Sequence, residues 1–205
     1  MDKQDHAVNP PPHASIERLR DLARVCRGCE LWRSATQTVF GRGPAPAKLM
    51  LVGEQPGSRE DRAGLPFVGP AGGVLQRALT QARIDPAAVY ITNAVKHFKW
   101  VARGKLRIHK RPNRAEVEAC RPWLDAEIRV VKPRLIVCLG ATAAEALLGP
   151  SFRLTQNHGR FFSNGGPAMT ATLHPSAILR GPKPAERERL MAQLVADLQA
   201  AADRL

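Results

Sequence analysis

The chain has 205 residues, a formal net charge of +13 and an isoelectric point near 10.6. That length is sufficient for one core of substantial size, and the positive charge favours a polyanionic partner such as nucleic acid over a merely soluble basic surface. No hydrophobic run approaches the ~18 residues of a membrane span, and the N-terminus lacks an apolar signal segment, so we expect a cytoplasmic protein.

The predicted elements begin after a polar, proline-rich stretch at residues 1–14, which we predict to be a loose tail before a single domain over residues 15–205. Ser15 can cap a helix that ends near Cys26. Four short apolar runs then predict buried strands at Leu49–Val52, Val89–Ala94, Leu135–Leu139 and Met169–Leu173. Further helices are predicted at Gly72–Ala82, Arg114–Val131, Ala141–Leu148 and Pro184–Leu205.

This alternation of strands and helices predicts an α/β fold. We expect a three-layer α/β/α sandwich with a central, mostly parallel four-stranded sheet. Glu54, Asn93 and His174 each follow or end a different strand. Because the carboxyl ends of parallel strands meet at one edge of a sheet, these three side chains are predicted to converge on one crevice.

Two sequence motifs carry a family resemblance. The first strand leads into Gly53–Gly57, which reads GEQPG, and the loop Gly64–Pro70 follows as GLPFVGP. His174 later opens the sequence His-Pro-Ser. This pair of motifs resembles that of the uracil-DNA glycosylases, and the iron–sulfur, family 4-like branch fits best. The resemblance extends from Cys26 to about Lys183 and implies a DNA-repair enzyme that excises uracil.

The four cysteines are at positions 26, 29, 120 and 138. In a cytosolic chain this pattern favours a metal site or free thiols over disulfides, and a Cys-x-x-Cys pair such as Cys26 and Cys29 binds zinc or an iron–sulfur cluster. The resemblance implies a structural 4Fe-4S cluster with Cys120 as a third ligand. It also places His97 where the family usually has a cysteine, and imidazole can ligate iron.

Cys138 is a competing candidate ligand. It lies inside an apolar strand, where small buried thiols are common, so we interpret it as structural. Ligation by Cys138 remains an alternative, as does a zinc site on spacing alone.

A glycosylase must extrude the nucleotide and then read the flipped base. The resemblance implies that Phe67 stacks on uracil, that the amide of Asn93 pairs with O4 and N3–H, and that His174 stabilises negative charge near O2. It assigns Gln55 to holding the base or a loop. An ordinary core phenylalanine and an asparagine that bonds to a turn are the structural alternatives.

A basic loop at Arg103–Arg114 contains six Lys or Arg residues and no acid. We predict that members of this loop contact DNA phosphates together with residues of the His-Pro-Ser segment. The predicted contacts are Lys105, Arg107, Lys110, Arg111 and Arg180. His109 lies among these cations, which disfavour its protonation and keep the imidazole neutral and nucleophilic.

The sequence Lys-x-Arg-Ile-His that ends at His109 resembles the insertion of the UdgX branch, whose loop histidine bonds covalently to deoxyribose after uracil leaves. Gln55 and His97 also match that branch, whereas Leu106 stands where it usually has a second basic residue. The resemblance implies that His109 captures C1′, that Glu54 orients or deprotonates His109, and that Arg107 helps to hold the loop closed.

Two alternatives to covalent capture remain. A turnover glycosylase would use Glu54 to position a water, and a binding module would recognise uracil-DNA without cleaving it. We expect a nucleoid-associated monomer. The charge is compatible with single-stranded or double-stranded uracil-containing DNA.

Overall fold

A computed structural model describes residues 9–163 and 165–205. The first eight residues of the predicted tail therefore lie outside the described residues. The helices are α1 (Ile16–Ala23), α2 (Ser58–Ala63), α3 (Pro70–Gln81), α4 (Arg114–Val131), α5 (Ala141–Leu148), α6 (Leu154–Asn157), α7 (Pro175–Arg180) and α8 (Pro184–Ala202). The strands are β1 (Leu49–Gly53), β2 (Val89–Asn93), β3 (Trp100–Arg103), β4 (Leu106–His109), β5 (Leu135–Leu139), β6 (Phe161–Phe162) and β7 (Ala168–Thr172).

The central sheet has the strand order β2-β1-β5-β7-β6. Its first four strands are parallel, and β6 pairs antiparallel with β7 at the edge. The predicted α/β fold with a mostly parallel sheet is confirmed. The predicted count of four strands is wrong by one, because β6 has two residues and is too short to produce a periodic pattern.

Side chains of the sheet alternate between two apolar layers, as the period of a strand requires. Met50, Val52 and Cys138 pack on the side of α1 and α4. Leu49, Leu51 and Val137 pack on the side of α3 and α8. No helix in the described part of the chain is long and apolar enough to cross a membrane.

The basic loop is a hairpin rather than an irregular loop. Strands β3 and β4 pair antiparallel, so that Trp100 is opposite His109 and Ala102 is opposite Arg107. Gly104 turns the chain with a φ of +57°, in the left-handed region that glycine adopts without strain. Since alternate residues share a face, Trp100, Arg107 and His109 project from the same side of the hairpin.

Candidate active site

A cleft of about 830 Å³ lies beyond the carboxyl ends of the parallel strands. Glu54 and Gln55 follow β1, Asn93 ends β2, and His174 follows β7. The structure therefore brings together the three polar residues whose convergence the strand pattern predicts. The hairpin adds His109 to the same cleft, and the loop before α3 adds Phe67.

Asn93 has an unpaired buried acceptor in this cleft. Its residue is 2% exposed, and Oδ1 has no hydrogen-bond partner among the residues that the structure describes. A buried polar atom without a partner costs free energy, so such an atom in a cleft indicates a donor on a ligand. Asn93 thus presents a hydrogen-bond acceptor to whatever occupies the cleft.

Phe67 forms an aromatic wall of the cleft. Its φ of 54° lies in the left-handed region, an unusual backbone conformation for a non-glycine residue that the surroundings must enforce. Gly72 allows this turn, because a Cβ atom there would lie 1.9 Å from the carbonyl oxygen of Phe67. The Phe67 ring lies 5.9 Å from the His174 ring, with 32° between their planes.

His174 is held as a neutral hydrogen-bond donor. Its Nδ1 accepts the backbone N–H of Ser176 at 3.1 Å, so the proton of the neutral ring is on Nε2. Burial, with smaller effects of Arg180 and His109, lowers the pKa of His174 to about 4. The hydroxyl of Ser176 also accepts a hydrogen bond from Arg180 at 2.9 Å, which holds that arginine at the rim.

Gln55 bonds to the two residues that flank the hairpin, and its side chain contacts His109. Its Oε1 accepts the N–H of Lys99 at 3.0 Å, and its Nε2 donates to the carbonyl of Lys110 at 3.0 Å. These bonds settle the orientation of the amide, whose Nε2 lies 2.9 Å from Nε2 of His109. The same nitrogen also donates to the carbonyl of Lys99 at 3.2 Å, so its two hydrogens are shared among three acceptors. An amide nitrogen cannot accept a hydrogen bond, so its bond with His109 requires the lone pair of the ring to be on Nε2.

The charge state of His109 agrees with that hydrogen bond. Burial is the largest cause that lowers the pKa of His109, and Arg180 acts in the same direction against Glu54 and Glu60. Oε1 of Glu54 lies 3.5 Å from Nε2 of His109. The other oxygen of Glu54 accepts a hydrogen bond from the hydroxyl of Thr142, which orients the carboxylate.

Arg107 holds the hairpin against α2. Its guanidinium pairs with Asp61 at 2.5 Å and donates to the hydroxyl and carbonyl of Ser58, both at 2.9 Å. The Arg107 side chain is 14% exposed and that of Asp61 is fully buried. Two roles were predicted for Arg107, to hold the loop closed and to contact a DNA phosphate. These contacts favour the first. Sequence reasoning missed Asp61 and Ser58, because nothing in their spacing indicates a partner so distant along the chain.

The other predicted phosphate contacts differ in their surroundings. Lys105 and Lys110 are exposed on the hairpin and beside it. Arg111 pairs with Glu145 at 2.6 Å and donates to Thr142 at 3.0 Å, so it ties the end of the hairpin to α5. Lys105 and Lys110 are therefore more accessible to a DNA phosphate than Arg111 is.

The profile of the uracil DNA glycosylase superfamily matches residues 40–199. The chain belongs to this superfamily. It is 35% identical over 175 residues to a type-4 uracil-DNA glycosylase of Pyrobaculum aerophilum, covering 82% of this chain and 86% of the relative. A type-4 uracil-DNA glycosylase of Thermotoga maritima is 34% identical over 167 residues, covering 80% and 83%. A type-5 uracil-DNA glycosylase of P. aerophilum is 30% identical over 176 residues, covering 78% and 74%.

Three cysteines lie close to one another, one of them in α4. The thiols of Cys26 and Cys29 both act on the pKa of Cys120, which burial raises to about 12. The indole of Trp123 donates to Sγ of Cys26 at 3.1 Å, and the N–H of Lys96 donates to Sγ of Cys120 at 3.2 Å. Hydrogen bonds to sulfur of this kind tune iron–sulfur clusters.

His97 directly follows Lys96, whose N–H bonds to Cys120, and it is 4% exposed. Its Nε2 is 3.0 Å from the hydroxyl of Thr38, which itself donates to the carbonyl of Ala23 at 2.8 Å. Since the hydroxyl proton is already used, Nε2 of His97 is the donor and Nδ1 keeps its lone pair. Burial lowers the pKa of His97 to about 4, so the ring is neutral, as a metal ligand must be.

The donor chemistry of this group of residues fits an iron–sulfur cluster. Across residues 9–163 and 165–205, no three His, Cys, Asp or Glu side chains are arranged to hold a single metal ion. A cluster is larger than one ion and reaches ligands that are farther apart. Cys138 lies fully buried in β5, and burial alone raises its pKa to about 12, with no contribution from the other thiols. The ligand set of Cys26, Cys29, His97 and Cys120 remains a prediction.

Proposed function

We propose that this protein excises uracil from DNA and captures the resulting sugar at C1′ through His109, forming a covalent protein–DNA adduct. The relatives are named uracil-DNA glycosylases, which supports uracil-containing DNA as the substrate. The observation that carries the covalent step is the 2.9 Å contact between the Gln55 amide nitrogen and Nε2 of His109.

Base reading uses the unpaired polar groups of the cleft. Oδ1 of Asn93 accepts N3–H of the flipped uracil, and the amide N–H₂ of the same residue donates to O4. Cytosine presents the reversed pattern at these two positions. Phe67 supplies a face on which the base stacks, and the neutral His174 offers Nε2–H to O2.

Cleavage separates charge between the base and the sugar. When the bond between C1′ and N1 breaks, its electron pair leaves with uracil, and the donor on His174 stabilises the anion. Glu54 faces the cation that develops on the sugar. Its carboxylate is held for this task by the Thr142 hydroxyl.

Capture uses the Nε2 lone pair of His109, which exchanges its hydrogen bond with the Gln55 amide for a bond to C1′. That pair forms the new C1′–Nε2 bond, and the positive charge moves from the sugar to the imidazolium. Loss of the Nδ1 proton to solvent and protonation of the uracil anion leave both products neutral. Each protein molecule then reacts once.

Cys26, Cys29, His97 and Cys120 would hold the cluster, which would link the N-terminal segment to the loop after β2. Turnover is the second candidate function. Glu54 lies in the cleft and 3.5 Å from the His109 ring, where it can instead activate a water toward C1′.

Incubation with uracil-containing single-stranded DNA followed by a denaturing gel tests the proposal. We expect a slowly migrating band that survives denaturant. Free abasic product without that band would replace the proposal by turnover. Retention of DNA in a native gel, with neither product in the denaturing gel, would leave only binding.

A further inference from the structure

A buried ion pair lies outside the cleft, beneath Asn93. Nζ of Lys96 is 2.5 Å from Oε2 of Glu127, and the two side chains are 1% and 0% exposed. Taking two charges out of water is costly, and their attraction offsets this only when the remaining hydrogen-bonding positions are also filled. The chemistry of the cleft uses neither residue.

Lys96 directs two of its three donors at the end of β2. One donates to Glu127, one to the hydroxyl of Thr92 at 2.7 Å, and one to the carbonyl oxygen of Asn93 at 2.7 Å. An ammonium group has three N–H donors, so all of them are used and the group has one orientation. The carbonyl of the base-reading residue is therefore bonded to a fixed side chain.

Glu127 is in turn anchored from several directions. Its carboxylate accepts the Tyr90 hydroxyl at 2.9 Å, the Gly41 N–H at 3.0 Å and the Thr92 hydroxyl at 3.0 Å. Burial and the charge of Glu127 both raise the pKa of Tyr90, which keeps its hydroxyl a donor. The ion pair thus joins the C-terminal part of α4 to the last residues of β2.

The side chain of Asn93 needs this support from its backbone. Its Oδ1 has no hydrogen-bond partner within the described ranges, so no bond at that atom orients the amide before a base arrives. The strand that carries it, β2, ends the sheet order. The direction of the amide therefore depends on the peptide that follows Asn93, whose N–H donates to the carbonyl of Gly53 at 2.8 Å and whose carbonyl is held by Lys96.

We propose that Lys96, held by Glu127, is a positioning residue for base reading, because it fixes the Asn93 peptide so that the amide meets the edge of uracil. This inference rests on the proposed function. The N–H of Lys96 also donates to Sγ of Cys120 at 3.2 Å, so one residue joins the base pocket to the cysteine group. The base pocket consequently depends on residues of α4 that never touch DNA.

The test measures base preference rather than activity. Fluorescence anisotropy gives the affinity for a single-stranded oligonucleotide that carries 2′-fluorinated deoxyuridine, whose glycosidic bond resists cleavage, or its N3-methylated counterpart. The N3-methyl group removes the donor that Oδ1 of Asn93 accepts. The ratio of the two affinities reports how well Asn93 is positioned, and a loss of folded protein affects both affinities equally.

Lys96→Met alone leaves Glu127 buried without its partner, so the main variant is Lys96→Met/Glu127→Gln, which removes both charges. We expect its preference for the unmethylated base to fall by about tenfold, toward that of Asn93→Ala. Affinity for a uracil-free oligonucleotide should match that of the wild-type protein, because the double substitution removes one positive and one negative charge and leaves the net charge unchanged. If circular dichroism shows that the double variant does not fold, Lys96→Arg provides the same comparison, since a planar guanidinium cannot meet the three acceptors in the same way.

A folded double variant that keeps the wild-type preference overturns the inference and leaves the proposed function intact. A wild-type protein that shows no preference between the two oligonucleotides overturns base reading by Asn93 itself. In that case Lys96 has no base-reading side chain to position, and the inference fails as well.

Discussion

Gly53 and Asn93 are paired across β1 and β2, and a Cβ atom on Gly53 would lie 2.3 Å from Oδ1 of Asn93. The same Cβ atom would lie 2.7 Å from Cζ of Phe67. The glycine of the GEQPG motif therefore lets the base-reading amide and the stacking ring approach each other closely. Its importance here is steric rather than conformational.

Gly53→Ala should accordingly damage the pocket. The methyl group must displace Asn93 or Phe67, and a misplacement of about 1 Å can cost about 100-fold in rate. We expect a loss of that order in the single-turnover rate of uracil excision. Gly73→Ala is the matched control, because a Cβ atom at Gly73 in α3 meets nothing within 4 Å. Equal rates for the two variants would contradict the role of Gly53.

The contact of Gln55 with His109 predicts a dependence on pH. Burial holds the pKa of His109 below its ordinary value of about 6.5, and only the neutral ring has the lone pair for capture. Adduct formation should therefore be complete at pH 7 and fall only as the pH drops through a midpoint below about 6.5.

Gln55→Glu replaces the amide donor by a carboxylate that stabilises the protonated ring. The pKa of His109 should rise, and the midpoint of the single-turnover adduct rate should move to higher pH. Gln55→Ala should slow the reaction without that upward shift, and Gln76→Glu on the exposed side of α3 should change neither. If the midpoint of Gln55→Glu is unshifted, Gln55 does not influence the protonation of His109.

The strands of the sheet were predictable because buried parallel strands are continuous apolar runs, as in Leu49–Val52. Helix α4 was predictable with its bounds, since Asn113 caps it through a capping box. The hairpin was not predictable in the same way. Strand β3 reads Trp-Val-Ala-Arg without regular alternation, and Val101 and Leu106 remain exposed, so no buried face marks the two segments as strands.

The residues of the candidate site were likewise predictable only in part. Glu54, Asn93 and His174 follow from the rule that ligands bind beyond the carboxyl ends of parallel strands. The pairs that hold the site join distant segments, as Arg107 does with Asp61 and Lys96 with Glu127. Charge and spacing along the chain do not identify such partners, because they are determined only when helices pack on the sheet.

The exposed lysines of the hairpin should determine the salt dependence of DNA binding. Lys105→Ala/Lys110→Ala should reduce the slope of log affinity against log salt by about 0.7 for each phosphate of single-stranded DNA that the protein no longer neutralises. Lys48→Ala/Arg77→Ala removes the same charge from exposed positions elsewhere and serves as the control. A slope that changes equally in both variants would mean that the hairpin makes no direct phosphate contact.

The metal ligands can be separated by iron content. Cys120→Ala and His97→Ala should lose iron, whereas Cys138→Ala should retain it, because Cys138 lies in the middle of β5 and its pKa is unaffected by the other thiols. Iron and acid-labile sulfide are measured on purified protein, with visible absorbance as a second readout. Loss of the cluster in Cys138→Ala together with its retention in His97→Ala would reverse the assignment.

His109→Ala decides between capture and turnover. The adduct that survives denaturant should disappear, while the uracil pocket persists, because Phe67, Asn93 and His174 come from other segments. The vacated space can admit a water beside Glu54, which then acts as a general base toward the sugar cation. We expect the variant to release free uracil and leave an abasic site, with each protein molecule acting repeatedly.

Glu54→Gln is the companion variant, because it should impair reaction by either route. An adduct that still forms in His109→Ala would identify another nucleophile. Lys96 is excluded from that role, since its side chain is 1% exposed and all three of its donors are bonded. Lys105 and Lys110 would then act through an imine at the abasic sugar. Borohydride distinguishes the two cases, because it is needed to trap an imine, whereas a bond between histidine and C1′ survives denaturant without reduction.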